Sequence, residues 1–334
     1  MTVISEPKSQ LGWSHWHDPS TPVRLGASSC LLGEMVRYDG GHCRDGFLTE
    51  VLGPLVEWVS VCPEMGIGMG TPRPTIRLSE DTGAVRLVES RSGVDHTEAM
   101  QSYAHTKLKK VGPANLDGYV VKKNSPTCGL QRLAVYKGDM KVHKLGVGTF
   151  TEVLCAEYPD LPVEEDGRLN DARLREGFVE QIFCRNRWRN LVKGGLSRRK
   201  LVEFHTAHKL QLRTHDETSY RKLGLLVGTA GKTSDSELFE AYGEEFLHCI
   251  SIPASSKRHI NVMHHVMGYF KNVLPSTVKH HLLDSIEEYR KGHLPLIVPL
   301  SLLAFNANQH QVEYLLGQVY FDPYPREWML RNHA

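Results

Sequence analysis

Two rhythms of hydrophobic and polar positions run along this chain. Up to about residue 170, short apolar runs of strand length alternate with stretches whose apolar residues recur every three or four positions. "PVRLGASS" and "EWVSVC" predict two strands, and between them "RDGFLTEVLGPLV" sets Phe47, Leu48, Val51, Leu52 and Leu55 at helical spacing. "AVRLVE" predicts a further strand. "DHTEAMQSYAHTKLKKVG" predicts a helix opened by a capping box of Asp95 and Glu98, and "LDGYVVKK" the strand that follows it. Alternation of this kind predicts a Rossmann-like α/β domain with a mainly parallel sheet.

From about Asn170 the pattern changes. "NDARLREGFVEQIFCRNRWRNLV" places Leu174, Phe178, Ile182 and Phe183 on one face of a long helix, and beyond the basic, Gly-containing joint "KGGLSRRK" strand signals fade into successive amphipathic helices. The expected organisation is an N-terminal extension at 1–21, the α/β domain at 22–193 and an all-α domain at 194–334. There is no fixed-period repeat and no low-complexity tract.

Composition adds limits rather than detail. At 334 residues two cores are expected. Forty basic and 38 acidic residues leave a formal net charge of +2, a balanced surface that neither demands nor excludes nucleic acid. No apolar run has signal-peptide or membrane-span length, so the expectation is a soluble cytoplasmic protein with no membrane partner. The seven cysteines are odd in number and widely spread, which favours metal or thiolate chemistry over disulfides.

Three of those cysteines share a placement. Cys30 in "LGASSCLLG", Cys62 at the start of "CPEMGIGMGTPR" and Cys128 in "KKNSPTCGL" each follow a predicted strand. In a parallel sheet such positions converge along one edge, where ligands bind. Structural zinc sites commonly draw on close pairs such as C-x-x-C, and none is present. A [4Fe-4S] cluster held by three cysteines keeps one iron open as a Lewis acid, with an affinity for sulfur. Three post-strand cysteines also arise by accident, so spacing alone leaves the question open.

"GASSCLLGEMVRYDGGH", "VCPEMGIGMGTPRPTIRL" and "NSPTCGL", in this order, resemble the bacterial thiouracil desulfidases over roughly residues 22–185. Residues from about 200 onward, with "FHTAHK", "HVMGYFK" and "YLLGQVYFDPYP", resemble the YbgA-type helical domain often fused to that family. The resemblance implies that Cys30, Cys62 and Cys128 ligate a [4Fe-4S] cluster whose unique iron takes the sulfur of a small thiocarbonyl substrate such as 2-thiouracil. It implies redox-neutral conversion of C=S to C=O with release of hydrosulfide. Position by position, the glutamate of "CPE" is Glu64, a general base, and the serine of "SPTC" is Ser125, a substrate or proton-relay contact. The longer interval containing "EDTGAVRLVESRSG" and the extension holding Trp13, His15, Trp16 and His17 depart from the shorter desulfidases and are expected to reshape the pocket.

Plainer readings stand beside these. Glu64 also reads as a surface carboxylate, and Ser125 before Pro126 as a turn residue. Gly66, Gly68 and Gly70 read as a flexible pocket wall, since their spacing is not G-x-G-x-x-G. Arg37 and Asp39 read as a structural turn near Cys30, with support of the cluster as the alternative; Arg73 reads as a solvated arginine or as a contact to a polar pyrimidine edge, Cys43 as the spare thiol and candidate fourth ligand, and Cys155, Cys184 and Cys249 as core. Twelve of the 18 histidines follow residue 200. His205 and His208, with His264 at a distance, are metal candidates, although histidines on amphipathic helices are ordinarily surface or cap groups. The basic run from Arg185 and Arg187 through Arg189, Lys193, Arg198, Arg199 and Lys200 around Trp188 raises a thiolated base in RNA as an alternative substrate, against a solvated helix face. A cluster that only senses or stabilises, beside a helical binding module, is the remaining alternative.

Overall fold

Among the described residues the strands are, in chain order, β1 (Val23–Ser28), β2 (Val56–Val61), β3 (Ile76–Asp81), β4 (Ala84–Glu89), β5 (Gly118–Val121), β6 (Leu133–Lys137), β7 (Met140–Gly146) and β8 (Val163–Glu165). They come from a computed structural model that describes residues 12–16, 18, 20–81, 83–112, 115–229, 234–326 and 330–332. β2, β1, β5 and β8 pair in that order as a wholly parallel sheet, with Val23 opposite Val56 and Leu25 opposite Gly118. This is the α/β sheet that the apolar runs predict. Its central strands β1 and β5 are buried and rich in small and apolar residues, as parallel strands covered on both faces require.

A second sheet was not legible as such. β4, β3, β6 and β7 pair in that order, with antiparallel β3–β4 and β6–β7 hairpins joined by parallel β3–β6 pairing. The run at 84–89 is therefore the antiparallel arm of a hairpin. Helices of this unit are the short α1 (Pro63–Gly66), α2 (Thr97–Val111) and α3 (Thr149–Glu157). The segment expected as a helix between β1 and β2 is a π-helical turn, Phe47–Leu52, followed by a 3-10 turn, Gly53–Leu55. Leu48 and Leu52 are buried and Val51 and Leu55 are exposed, and Pro54, which has no N–H to donate, prevents regular continuation. The capping box at α2 does not form either: Asp95 Oδ1 accepts from Thr97 N–H at 2.8 Å and its other oxygen takes Arg86. One core gathers Val61, Leu78, Met100, Tyr119, Val135 and Phe150. Gly26 is obligatory in β1, since a Cβ there would lie 2.2 Å from the Tyr119 ring.

The remaining helices are α4 (Ala172–Lys193), α5 (Arg198–His215), α6 (Glu217–Gly228), α7 (Asp235–Ser251), α8 (Ser256–Tyr269), α9 (Ser276–Arg290), α10 (Ile297–Gln309) and α11 (Glu313–Leu316). The chain separates into Pro22–Leu174 and a second unit of Arg175–Ala334 with the described residues before Pro22. The division falls in the first turn of α4 because Cys184, Trp188 and Leu191 of that helix pack with Phe204, Tyr242 and Phe246. "KGGLSRRK" is the turn into α5, whose start Ser197 caps. Side chains of Asp216, Ser234 and Ser255 cap α6, α7 and α8. No helix among the described residues is long and apolar enough to cross a membrane.

Candidate active site

Three neighbouring parallel strands deliver the three cysteines to one place. β1 runs into a 3-10 turn, Ser29–Leu32, that carries Cys30; the left-handed Gly33, φ 97°, closes it. β2 ends directly before Cys62, which also opens α1, its carbonyl accepting from Gly66 N–H at 3.0 Å. β5 leads into the loop bearing Cys128. That loop is fixed from several sides: Ser125 Oγ accepts from the N–H groups of Thr127 (3.2 Å) and Cys128 (3.0 Å), and Thr151 Oγ1 donates to Cys128 O at 2.6 Å. Gly148 presses on the loop so closely that a Cβ would sit 2.5 Å from Thr127 O.

Cys30, Cys62 and Cys128 line a single cavity of about 500 Å³ together with Cys43, Glu64, Arg73, Lys122 and Ser125. Thus the residues singled out in the sequence for chemistry meet, although they span positions 30 to 128. Glu64 is buried. Cys62 Sγ lies 3.4 Å from its Oε2, and an Arg73 Nη lies 4.0 Å from the same oxygen. Arg73 is not solvated: its side chain is 6% exposed, because it donates to the carbonyls of Val36 (2.8 Å) and Gly70 (3.0 Å). Arg37 bonds Asp39 and also donates to Cys43 Sγ at 2.9 Å, so the "RYDGGH" turn is structural and holds the spare thiol. Gly66, Gly68 and Gly70 do not line the cavity; Gly66 is needed where the Tyr103 ring crosses it, and Gly70 serves Arg73.

Burial keeps the thiols in their protonated form. Burial, then the charges of Cys43 and Glu64, push Cys30 up to about 11. Burial followed by Glu64 pushes Cys62 up to about 12, and burial pushes Cys128 well above the ordinary thiol range. All three are therefore protonated at neutral pH until something positive replaces the protons. Among the described residues no three His, Cys, Asp or Glu side chains converge closely enough to hold one metal ion. An iron-sulfur cluster asks for a different arrangement, in which each thiolate binds its own iron and the sulfurs surround a cavity. A donor set of three thiols from separate loops around one cavity fits that demand.

The other sequence candidates are placed elsewhere. His205, His208, His215 and His259 are buried rather than at the surface, whereas His264 is exposed. His205 Nδ1 meets Tyr242 OH at 3.0 Å and His259 Nδ1 meets Tyr320 OH at 3.1 Å. His208 places Nδ1 2.7 Å from Phe204 O and accepts at Nε2 from Arg187 Nε at 3.1 Å, which fixes a neutral tautomer. His208 thus has both ring nitrogens engaged and offers neither to a metal. Within the basic run, Arg187 and Trp188 are core: Arg187 also donates to Pro323 O at 2.7 Å, and Trp188 stacks on Phe239 with ring centres 5.8 Å apart. Cys184 and Cys249 are buried and Cys155 is partly so. Of the extension, Trp16 packs edge-on against Phe204, 5.4 Å between ring centres. His17 lies outside the described residues.

One feature escaped the sequence reading. A second cavity of about 520 Å³ shares Ile76, Asn124 and Pro126 with the first and carries Arg77, Arg132, Lys141 and Lys144. These cations come from β3, β7 and the loop before β6, too scattered to form a charge run.

Comparison with known proteins accounts for both units. Residues 25–166 match the 2-thiouracil desulfurase family, and residues 209–325 match DUF1722, a protein family of unknown function. The chain is 31% identical over 165 residues to the uncharacterized protein YbgA of Escherichia coli (strain K12), covering 49% of this chain and 98% of that one. It is 30% identical over 152 residues to the uncharacterized protein YbbK of Bacillus subtilis (strain 168), covering 43% and 96%. Among solved structures, the [4Fe-4S]-dependent thiouracil desulfidase TudS is 26% identical across 46% of this chain and 97% of its own, with a TM-score of 0.37.

Proposed function

Because the chain belongs to the 2-thiouracil desulfurase family, with a YbgA-type helical unit fused to it, we propose that it removes sulfur from a small thiocarbonyl compound such as 2-thiouracil. The observation that carries this reading is the meeting of Cys30, Cys62 and Cys128 with Glu64 around one cavity large enough for a single base. Cys30, Cys62 and Cys128 would hold a [4Fe-4S] cluster. When bound, that group supplies a Lewis-acidic iron without a protein ligand, to which the substrate sulfur is drawn.

The rest is work for the protein's own side chains. Water forms a bond from its oxygen to the thiocarbonyl carbon and the C–S bond breaks. One water proton leaves with sulfur as hydrosulfide and the other passes to solvent; no electron is gained or lost. Glu64 takes the proton from the attacking water, its carboxylate steadied by Arg73, which is itself anchored to two carbonyls. Ser125 uses its oxygen to accept from two backbone N–H groups, so its hydroxyl hydrogen is the part directed to another acceptor. Its first duty is to shape the loop that presents Cys128; a substrate contact is the second.

Oxygen-free protein is expected to contain iron and acid-labile sulfide and to release sulfide from 2-thiouracil. Protein with a full iron complement that leaves every thiobase intact would reject the catalytic reading in favour of a sensing or stabilising cluster. The basic cavity beside the site supports a second reading, in which the thiolated base is carried on RNA and its phosphates lie against Arg77, Arg132, Lys141 and Lys144. Turnover of thiolated RNA that falls steeply with salt, while that of the free base does not, separates the two.

A further inference from the structure

Four cationic side chains stand on the wall of the cysteine cavity, and their commitments differ. Arg37 is taken by Asp39 and Cys43. Arg73 is taken by two carbonyls and leans on Glu64. Lys123 is exposed to solvent. Lys122 differs from all three. Its side chain is 16% exposed, and its Nζ lies 2.7 Å from Asp166 Oδ2. An ammonium has three N–H donors, so two remain for whatever enters the cavity.

The local architecture holds this ammonium in place. Lys122 directly follows β5, and its backbone N–H donates to Ser28 Oγ, at the end of β1, at 3.1 Å. Asp166 directly follows β8, and its second oxygen takes the Lys123 N–H at 2.6 Å. One carboxylate therefore grips both the lysine's head and the next peptide. A fixed, half-committed cation on the wall of a cavity is the kind of donor that stabilises charge as it develops.

We propose that Lys122 is a further catalytic residue of the desulfuration, donating from its ammonium to a ring oxygen or nitrogen of the thiobase as negative charge builds during water attack, with Asp166 as its positioning residue. The inference rests on the desulfuration reading and assigns the polar edge of the substrate a partner in the protein. Uracil has that edge and lacks the sulfur, so its binding reports on Lys122 separately from iron.

The experiment compares cluster-loaded wild type, Lys122→Met, Lys122→Gln and Asp166→Asn for iron per chain, for uracil binding by calorimetry and for 2-thiouracil turnover. Lys122→Met and Lys122→Gln are expected to keep their iron, to bind uracil about ten- to a hundredfold more weakly and to lose at least as much in kcat/KM, the usual weight of a charged hydrogen bond. Asp166→Asn keeps an acceptor for the Lys123 N–H and is expected to lose less. Unchanged uracil affinity and turnover in Lys122→Met overturns the proposal. Loss of iron in both lysine variants overturns it as well, because the charge then serves the cofactor. A loaded wild type that leaves 2-thiouracil intact sinks the desulfuration reading and takes this inference with it, an outcome distinct from active wild type with an equally active variant.

Discussion

The cysteine cavity and the interior of the helical unit both keep costly side chains out of water, and they satisfy them in opposite ways. At the sheet edge, three thiols are raised by burial and receive no cation from the protein that lowers them to the thiolate range. Inside the helices, Glu176 takes Tyr324 OH (2.8 Å) and Arg331 Nε (2.9 Å), and Glu180 takes Gln211 Nε2 (2.7 Å) with His215 Nε2 3.3 Å away. Both of these carboxylates have donors within the protein. A buried polar group met by protein donors serves specificity of packing, whereas one on the wall of a cavity is placed to meet a ligand. The comparison teaches that titratable density alone does not locate chemistry in this chain, since the helices hold more of it.

The strongest way to break the contrast is to remove one open thiol. Cys62→Ala is expected to abolish iron retention and turnover together while leaving the thermal unfolding of the helical unit unchanged; iron analysis beside calorimetry reads both. Next, Glu64→Gln is expected to keep its iron and lose about a hundred- to ten-thousandfold in sulfide release, the usual range for a general base. Full activity in that variant would leave the cavity without its proton acceptor. On the helical side, Arg187→Met removes the donor to His208, Pro323 and Cys184, and each acceptor left unpaired in the interior costs about 1–3 kcal/mol. Denaturant unfolding should show that loss with iron content unaltered.

The smallest effect per group is on pH. Burial holds His205 down to about 4 and His259 to about 3, and it lowers His208 well below the ordinary range. A histidine whose folded value is depressed contributes stability above its unfolded value near 6.5 that is lost as pH falls toward the folded one. One pH unit below 6.5, each is expected to withdraw about 1.4 kcal/mol at most. His215 runs the other way: the Glu180 carboxylate overcomes burial and raises it, so its contribution is complete below 6.5 and fades as pH rises through the raised value. With three histidines against one, mild acid should destabilise the helices. A thermal midpoint that holds steady from pH 7 to 5.5 would contradict the neutral assignments.

What could be read in advance follows from which signals are local. β1, β2 and β5 are apolar runs closed by small or polar residues, and each cysteine stands just past such a run, so the sheet edge was visible in one dimension. β7 was not, because its apolar Met140, Val142 and Leu145 face solvent and no buried face produces a clean alternation. Arg187 looked like part of a solvated basic run, yet positions 184, 187, 188 and 191 form an i, i+3, i+4, i+7 stripe that is buried throughout. His205 and His208 lie likewise on the stripe 201, 204, 205, 208, 212, 215 of α5. Helical periodicity was the better guide there than residue type. The basic cavity had no local signal at all, since pairing between distant strands creates it.

The order of β2, β1 and β5 carries a last consequence. A group bonded to Cys30, Cys62 and Cys128 at once would cross-link three adjacent strands and close the long chain loops between them, as a set of staples does. Loading the cavity should therefore rigidify the whole carboxyl edge of the parallel sheet, with slower amide exchange at Ser28, Val61 and Val121, and leave exchange in the helices as it was.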